Sequence, residues 1–116
     1  MQKTILLVVK QIYKRVYSKY IENGLLTEEE QHKTLKALKI IKTYIEMIVE
    51  IDCMTYYIDK EYLKHIKHQT NILYDLYCVD NNYDDKMNVL LGYILKHVQK
   101  LKTDYTSTTI SDIIDE

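Results

Sequence analysis

TEEEQHKTLKALKIIKTYIEMIVEI, residues 27–51, holds the reading on which the fold turns. Thr27 can accept a hydrogen bond from the amide three residues on, and Glu30 can reach back to the Thr27 amide, which is the capping-box arrangement. Glu28, Glu29 and Glu30 also place negative charge against the positive end of the helix dipole. Beyond them Leu35, Leu38, Ile41, Ile45 and Ile48 recur at steps of three or four, one stripe of a 3.6-residue period. Ile40, Tyr44, Met47 and Ile51 form a second stripe beside it. An apolar face this broad predicts a long helix at the centre of a bundle.

Upstream, Asn23-Gly24 reads as a helix stop with Gly24 in the left-handed conformation. The segment before it places Ile5, Val9, Ile12, Val16 and Tyr20 on one face, extended by Tyr13 and Tyr17. Lys3, Lys10 and Lys14 fall on the opposite side. Downstream, the pattern loses its phase at residues 51–59, where Asp52 or Asp59 can cap a new helix; a break and a kink both fit. Tyr62, Ile66, Leu73, Leu76 and Tyr77 resume it. Asp80-Asn81-Asn82 is a second turn, built of residues that tolerate αL and cap helices. A fourth segment follows with Tyr83, Met87, Leu90, Ile94, Val98 and Leu101. Gly92 lies inside it on the polar side, where a glycine marks close approach by another element.

The whole chain agrees with this reading. It has 116 residues with no proline and two glycines, too few turn formers for a sandwich or barrel. Short connections favour antiparallel neighbours. The expectation is all-α: a small up-and-down bundle of four main helices, near residues 3–23, 28–51, 60–78 and 83–102. Residues 1–102 form the helical domain and residues 103–116 an acidic tail, flexible or a short helix capped by Ser111. Leu38, Ile41, Ile45, Ile48, Leu90, Ile94 and Val98 are expected to make the central core.

Function is less legible. Phosphate cradles and nucleophile elbows need glycines that are missing here. Cys53 and Cys78 form no C-x-x-C pair and read as thiols of a reducing compartment. The apolar run Ile5 to Val9 is too short for a secretory h-region, and nothing approaches a membrane span, so a soluble, intracellular protein is expected. Glu61, His65 and His68 share one helical face and are each capable of binding zinc. No fourth ligand accompanies them, and Lys60, Lys64 and Lys67 would repel a cation, so no metal and no cofactor is expected. Glu46 with Glu50, and Asp84 beside Asp85, read as surface and helix-opening charges rather than an acid–base pair. No catalytic residue is assigned, and the expectation is a non-enzyme.

Two binding readings remain. Twelve tyrosines without phenylalanine or tryptophan suit half-buried flanks and interfaces. Net charge is −1, yet residues 1–22 carry +4 and residues 103–116 carry −4. In the tail, Ile110, Ile113 and Ile114 at i, i+3 and i+4 resemble a helix-in-groove ligand for a protein partner. The first reading is therefore a non-catalytic interaction protein that binds or inhibits a larger protein, with self-association as a homodimer. The Lys-, Ile-, Tyr- and Asp-rich composition fits a small protein of a virus or mobile element. The second is a dimeric nucleic-acid-associated protein contacting phosphates through Lys10, Lys14, Arg15, Lys60, Lys64 and Lys67. A pI near 6.4 and a single arginine weigh against it.

Overall fold

The computed structural model describes residues 2–51, 60–79 and 83–101. These form α1 (Gln2–Arg15), a π-helical turn (Val16–Ile21) that continues it, α2 (Glu28–Ile51), α3 (Lys60–Tyr77) and α4 (Asp85–Leu101). No strand occurs among the described residues, and the protein is a small all-α bundle. Whether residues 52–59 break or kink a helix lies outside the described residues, as do Cys53 and the tail with Ile110, Ile113 and Ile114.

The local signals act as their chemistry requires. Glu30 N–H donates to Thr27 Oγ1 at 3.1 Å and Thr27 N–H to Glu30 Oε1 at 3.0 Å, closing the capping box of α2. Gly24 sits at φ 64°, where a side chain would be strained. The Asn23 side-chain amide donates to the Lys19 carbonyl at 2.9 Å, covering a carbonyl left open at the end of the π turn.

The helices pack in a square: α2 lies against α1 and α3, and α4 lies against the same two. Neighbours run antiparallel. The end of α1 meets the head of α4 through Arg15 and Asp84, and the start of α2 meets the end of α3 through Thr34 and Tyr77. At the other end Tyr44 of α2 packs on Tyr62 and His65 at the start of α3. α1 and α3 therefore stand diagonally opposite.

The expected central residues Leu38, Ile41, Ile45, Ile48, Leu90, Ile94 and Val98 are all buried. Val8, Leu63 and Leu91 join them, along with a buried Thr34 and Thr70. Two expectations are corrected. Tyr17 does not extend the buried face of α1: one residue past Val16 in the π turn, it points away from the Ile5–Val16 line and is exposed. Tyr83 is exposed as well, because it precedes the cap of α4 and the helical period does not govern it. Gly92 meets its expectation. A Cβ built there would lie 3.3 Å from the Tyr74 hydroxyl of α3.

Candidate functional site

The polar chemistry of the molecule gathers where α1 ends and α4 begins. Asp84 is the N-cap of α4, and its Oδ1 accepts the Met87 N–H at 3.1 Å. An ordinary N-cap faces water, whereas this one is 3 % exposed. Arg15 explains why that is tolerated. Its Nε donates to Oδ2 at 2.9 Å and its Nη2 to Oδ1 at 2.8 Å, a two-pronged pairing that matches fork to carboxylate. Tyr20 Oη donates to Oδ2 at 2.6 Å, and Lys19 Nζ stands 3.6 Å from the same oxygen.

The π turn makes this convergence possible. Hydrogen bonds such as Glu22 N–H to Tyr17 C=O, five residues back, widen the last turn of the helix. Arg15, the last residue of α1, and Lys19 and Tyr20 of the π turn all reach one carboxylate. Burial alone would push the Asp84 carboxyl up. The hydrogen bonds from Arg15, Tyr20 and the Met87 amide, with the Arg15 charge, outweigh it and hold the group well below the usual carboxylate range. The Tyr20 hydroxyl is pushed far above its usual range, first by burial and then by its bond to Asp84.

Tyr77 completes the frame. Its ring meets Tyr20 edge to face at 4.7 Å between centroids, and its hydroxyl shares a 2.7 Å hydrogen bond with buried Thr34. The Asp84 N–H donates to the Tyr77 carbonyl at 2.9 Å, tying the α3–α4 connection back onto α3. Burial also raises the Tyr77 hydroxyl and the Cys78 thiol.

Over this frame opens a hollow of about 330 Å³, lined by Tyr20, Tyr77, Tyr83, Leu25, Leu26 and Leu76, with Lys19 and Glu30 at its polar edge. Two of its lining side chains face outward beside that polar edge. Leu25 is 59 % exposed and Tyr83 53 %, and Val79 on the α3–α4 connection is also exposed. Large apolar side chains gathered around a concavity mark binding surfaces more than single ones do.

Compared with known protein families, curated proteins and solved structures, the chain matches none.

The residues singled out from sequence are dispersed. Lys10 and Lys14 are exposed on α1, and Lys60, Lys64 and Lys67 are exposed on α3, the helix diagonally opposite. Arg15 is committed to Asp84 rather than turned outward. His65 stacks on the Tyr44 ring at 4.9 Å and 12°, and no three His, Cys, Asp or Glu side chains converge to hold a metal among the described residues. No helix among them is long and apolar enough to cross a membrane.

Sequence reading missed the hollow and the Arg15–Asp84 pair. The hollow did leave a trace: Leu25-Leu26 follows Gly24 in a connection, where polar residues are the norm. The pair left a fainter one, the chain's single arginine and an Asp at a helix head, 69 positions apart.

Proposed function

We propose that this chain is a non-catalytic interaction protein that seats a protein partner on the loop end of the bundle. The observation that carries the reading is the exposed Leu25 and Tyr83 around a tyrosine-lined hollow, on a frame fixed by the Arg15–Asp84 pair. Apolar and tyrosine side chains held rigidly at a concavity are what interface hot spots are made of.

The titration of the frame supports binding over catalysis. A general acid or base works best with a pKa near the operating pH. Asp84 is held ionised far below neutrality, and Tyr20 and Tyr77 are held protonated above it. The paired groups fix shape and exchange no protons at neutral pH.

A partner suited to this end offers an aliphatic or aromatic anchor for the hollow and a polar rim to meet Lys19 and Glu30. Where that partner is absent, Leu25 and Tyr83 can meet their copies in a second chain, so a homodimer belongs to the same reading. The test places a photo-reactive phenylalanine at Tyr83, and another at Lys39 on α2 as a control, in the cells that make the protein. One discrete adduct from the Tyr83 position, abolished by Leu25→Asp, is expected. Adducts of equal yield from both positions, or none from Tyr83, would overturn the proposal. Solution mass checks the homodimer: a value above 13.9 kDa that returns to it in Leu25→Asp is expected.

A further inference from the structure

A second concavity lies away from the loop end, between α3 and α4. It measures about 450 Å³ and is lined by Lys60, Lys64, Lys67, Leu63, Val98 and Gln99. Leu63 and Val98 are buried core residues, so they form a floor, and the lysines on the exposed face of α3 form a rim. Among the described residues no acidic side chain lines it. The nearest acid on that helix, Glu61, meets Lys64 at 3.4 Å in an exposed i, i+3 pair that water weakens. A groove of this make-up fits a ligand that is aliphatic on one side and acidic on the other.

The sequence of residues 103–116 has this make-up. Residues 103–116 carry Ile110, Ile113 and Ile114 at i, i+3 and i+4, with Asp104, Asp112, Asp115 and Glu116 and no base. Leu101, two residues before this segment, lies less than one turn past Val98 of the groove. We propose that residues 103–116 fold back and dock in the α3–α4 groove of their own chain. The isoleucines meet Leu63 and Val98, and the carboxylates face Lys60, Lys64 and Lys67.

The reach is sufficient. Residues 103–109 span up to ~23 Å when extended, while Lys60 to Lys67 covers ~10 Å along α3. Tethering also favours this occupant over a free one. A short linker holds its ligand at an effective concentration in the millimolar range, above that of a free anionic peptide in a cell. The docked segment covers the α3 lysines, so a nucleic acid could reach them only by displacing it. This surface is distinct from the loop end, and each proposal stands or fails on its own test.

The experiment uses the isotope-labelled full chain and compares amide spectra of wild type, D112K/D115K and K64E/K67E. Neither pair belongs to the helical core, and ellipticity checks that both variants fold. D112K/D115K is expected to shift amides of residues 60–67 and 98–101, and K64E/K67E those of residues 110–116. Both effects should vanish at high salt, where screening shortens to ~3 Å at 1 M, and persist unchanged on dilution. Shifts that stay within the mutated segment, or that appear on the α2 lysines, overturn the proposal. Shifts that fade on dilution assign the groove to a second copy's segment and overturn docking within one chain. Duplex DNA that moves residues 60–67 of wild type at physiological salt while residues 110–116 stay still overturns it in favour of a polyanion.

Discussion

Asp84 performs two tasks with one carboxylate: it caps α4 and neutralises Arg15. The tasks can be separated, because asparagine caps a helix about as well as aspartate. Asp84→Asn therefore keeps the cap and removes the charge opposite Arg15. It is expected to cost ~1–3 kcal/mol, since charge-assisted hydrogen bonds to a buried carboxylate are lost while the part-exposed Arg15 keeps access to water. The pH dependence has a definite sign. The folded-state pKa of Asp84 lies below the unfolded value of about 3.9, so its contribution is complete above about pH 4 and is lost as pH falls toward the folded value. Urea midpoints of wild type and Asp84→Asn should differ at neutral pH and converge on acidification. A gap that stays constant down to pH 3 would show that the pair contributes no charge-dependent stability. Arg15→Lys tests the fork geometry: a lysine keeps the charge but loses the second prong, so part of the loss should appear there too.

At the scale of elements, what the sequence reveals is what local physics controls. The capping box, the Gly24 stop and the apolar stripes of α2 and α4 depend on residues within a few turns, and each lies where its spacing places it. The candidate site depends on residues far apart in the chain. Nothing near Arg15 announces Asp84, and nothing in the period of α1 announces that residues 16–21 widen into a π turn. Tyr17 and Tyr83 were legible as apolar but not as outward, because amphipathic period says little at the edge of a stripe and nothing beyond a cap. Two predictions belong here. Ile41 and Ile94 are fully buried on the core stripes of α2 and α4, so alanine at either should cost ~2–5 kcal/mol, read as a lower thermal midpoint; unchanged midpoints would place the wrong faces inward. Gly92→Ala sets helix propensity, a gain of up to ~1 kcal/mol, against a Cβ 3.3 Å from the Tyr74 hydroxyl. That hydroxyl ends a side chain and holds the Asn88 carbonyl at only 3.4 Å, so it can yield. Gly92→Ala should raise the thermal midpoint slightly, and a fall would mean that Tyr74 cannot move.

At the scale of the whole molecule, the described residues share one core to which every helix contributes: Ile12 from α1, Leu38 from α2, Ile66 from α3 and Leu91 from α4 are all buried in the same cluster. Isolated helices of α1's length are marginal in water, so each helix depends on this shared core. The bundle should therefore unfold as one unit, with helix content and tyrosine environment lost together. Alkaline pH exposes that unity, because Tyr13, Tyr20, Tyr74 and Tyr77 are all pushed above the usual tyrosine range, in each case chiefly by burial. They sit on α1, the π turn and α3, so they report from most of the bundle. A group whose folded-state pKa is raised contributes stability that is complete below its unfolded value, about 10 for tyrosine, and is lost as pH rises beyond it. The unfolded chain thus releases these protons more readily than the folded one, and base pulls the equilibrium toward unfolding. Tyrosinate absorbance and ellipticity, followed together above pH 10, should show these tyrosines ionising in the same step in which helix disappears. Gradual ionisation of all twelve tyrosines with helix content intact would show that the tyrosines between the helices are open to water, and that the bundle is looser than its packing implies.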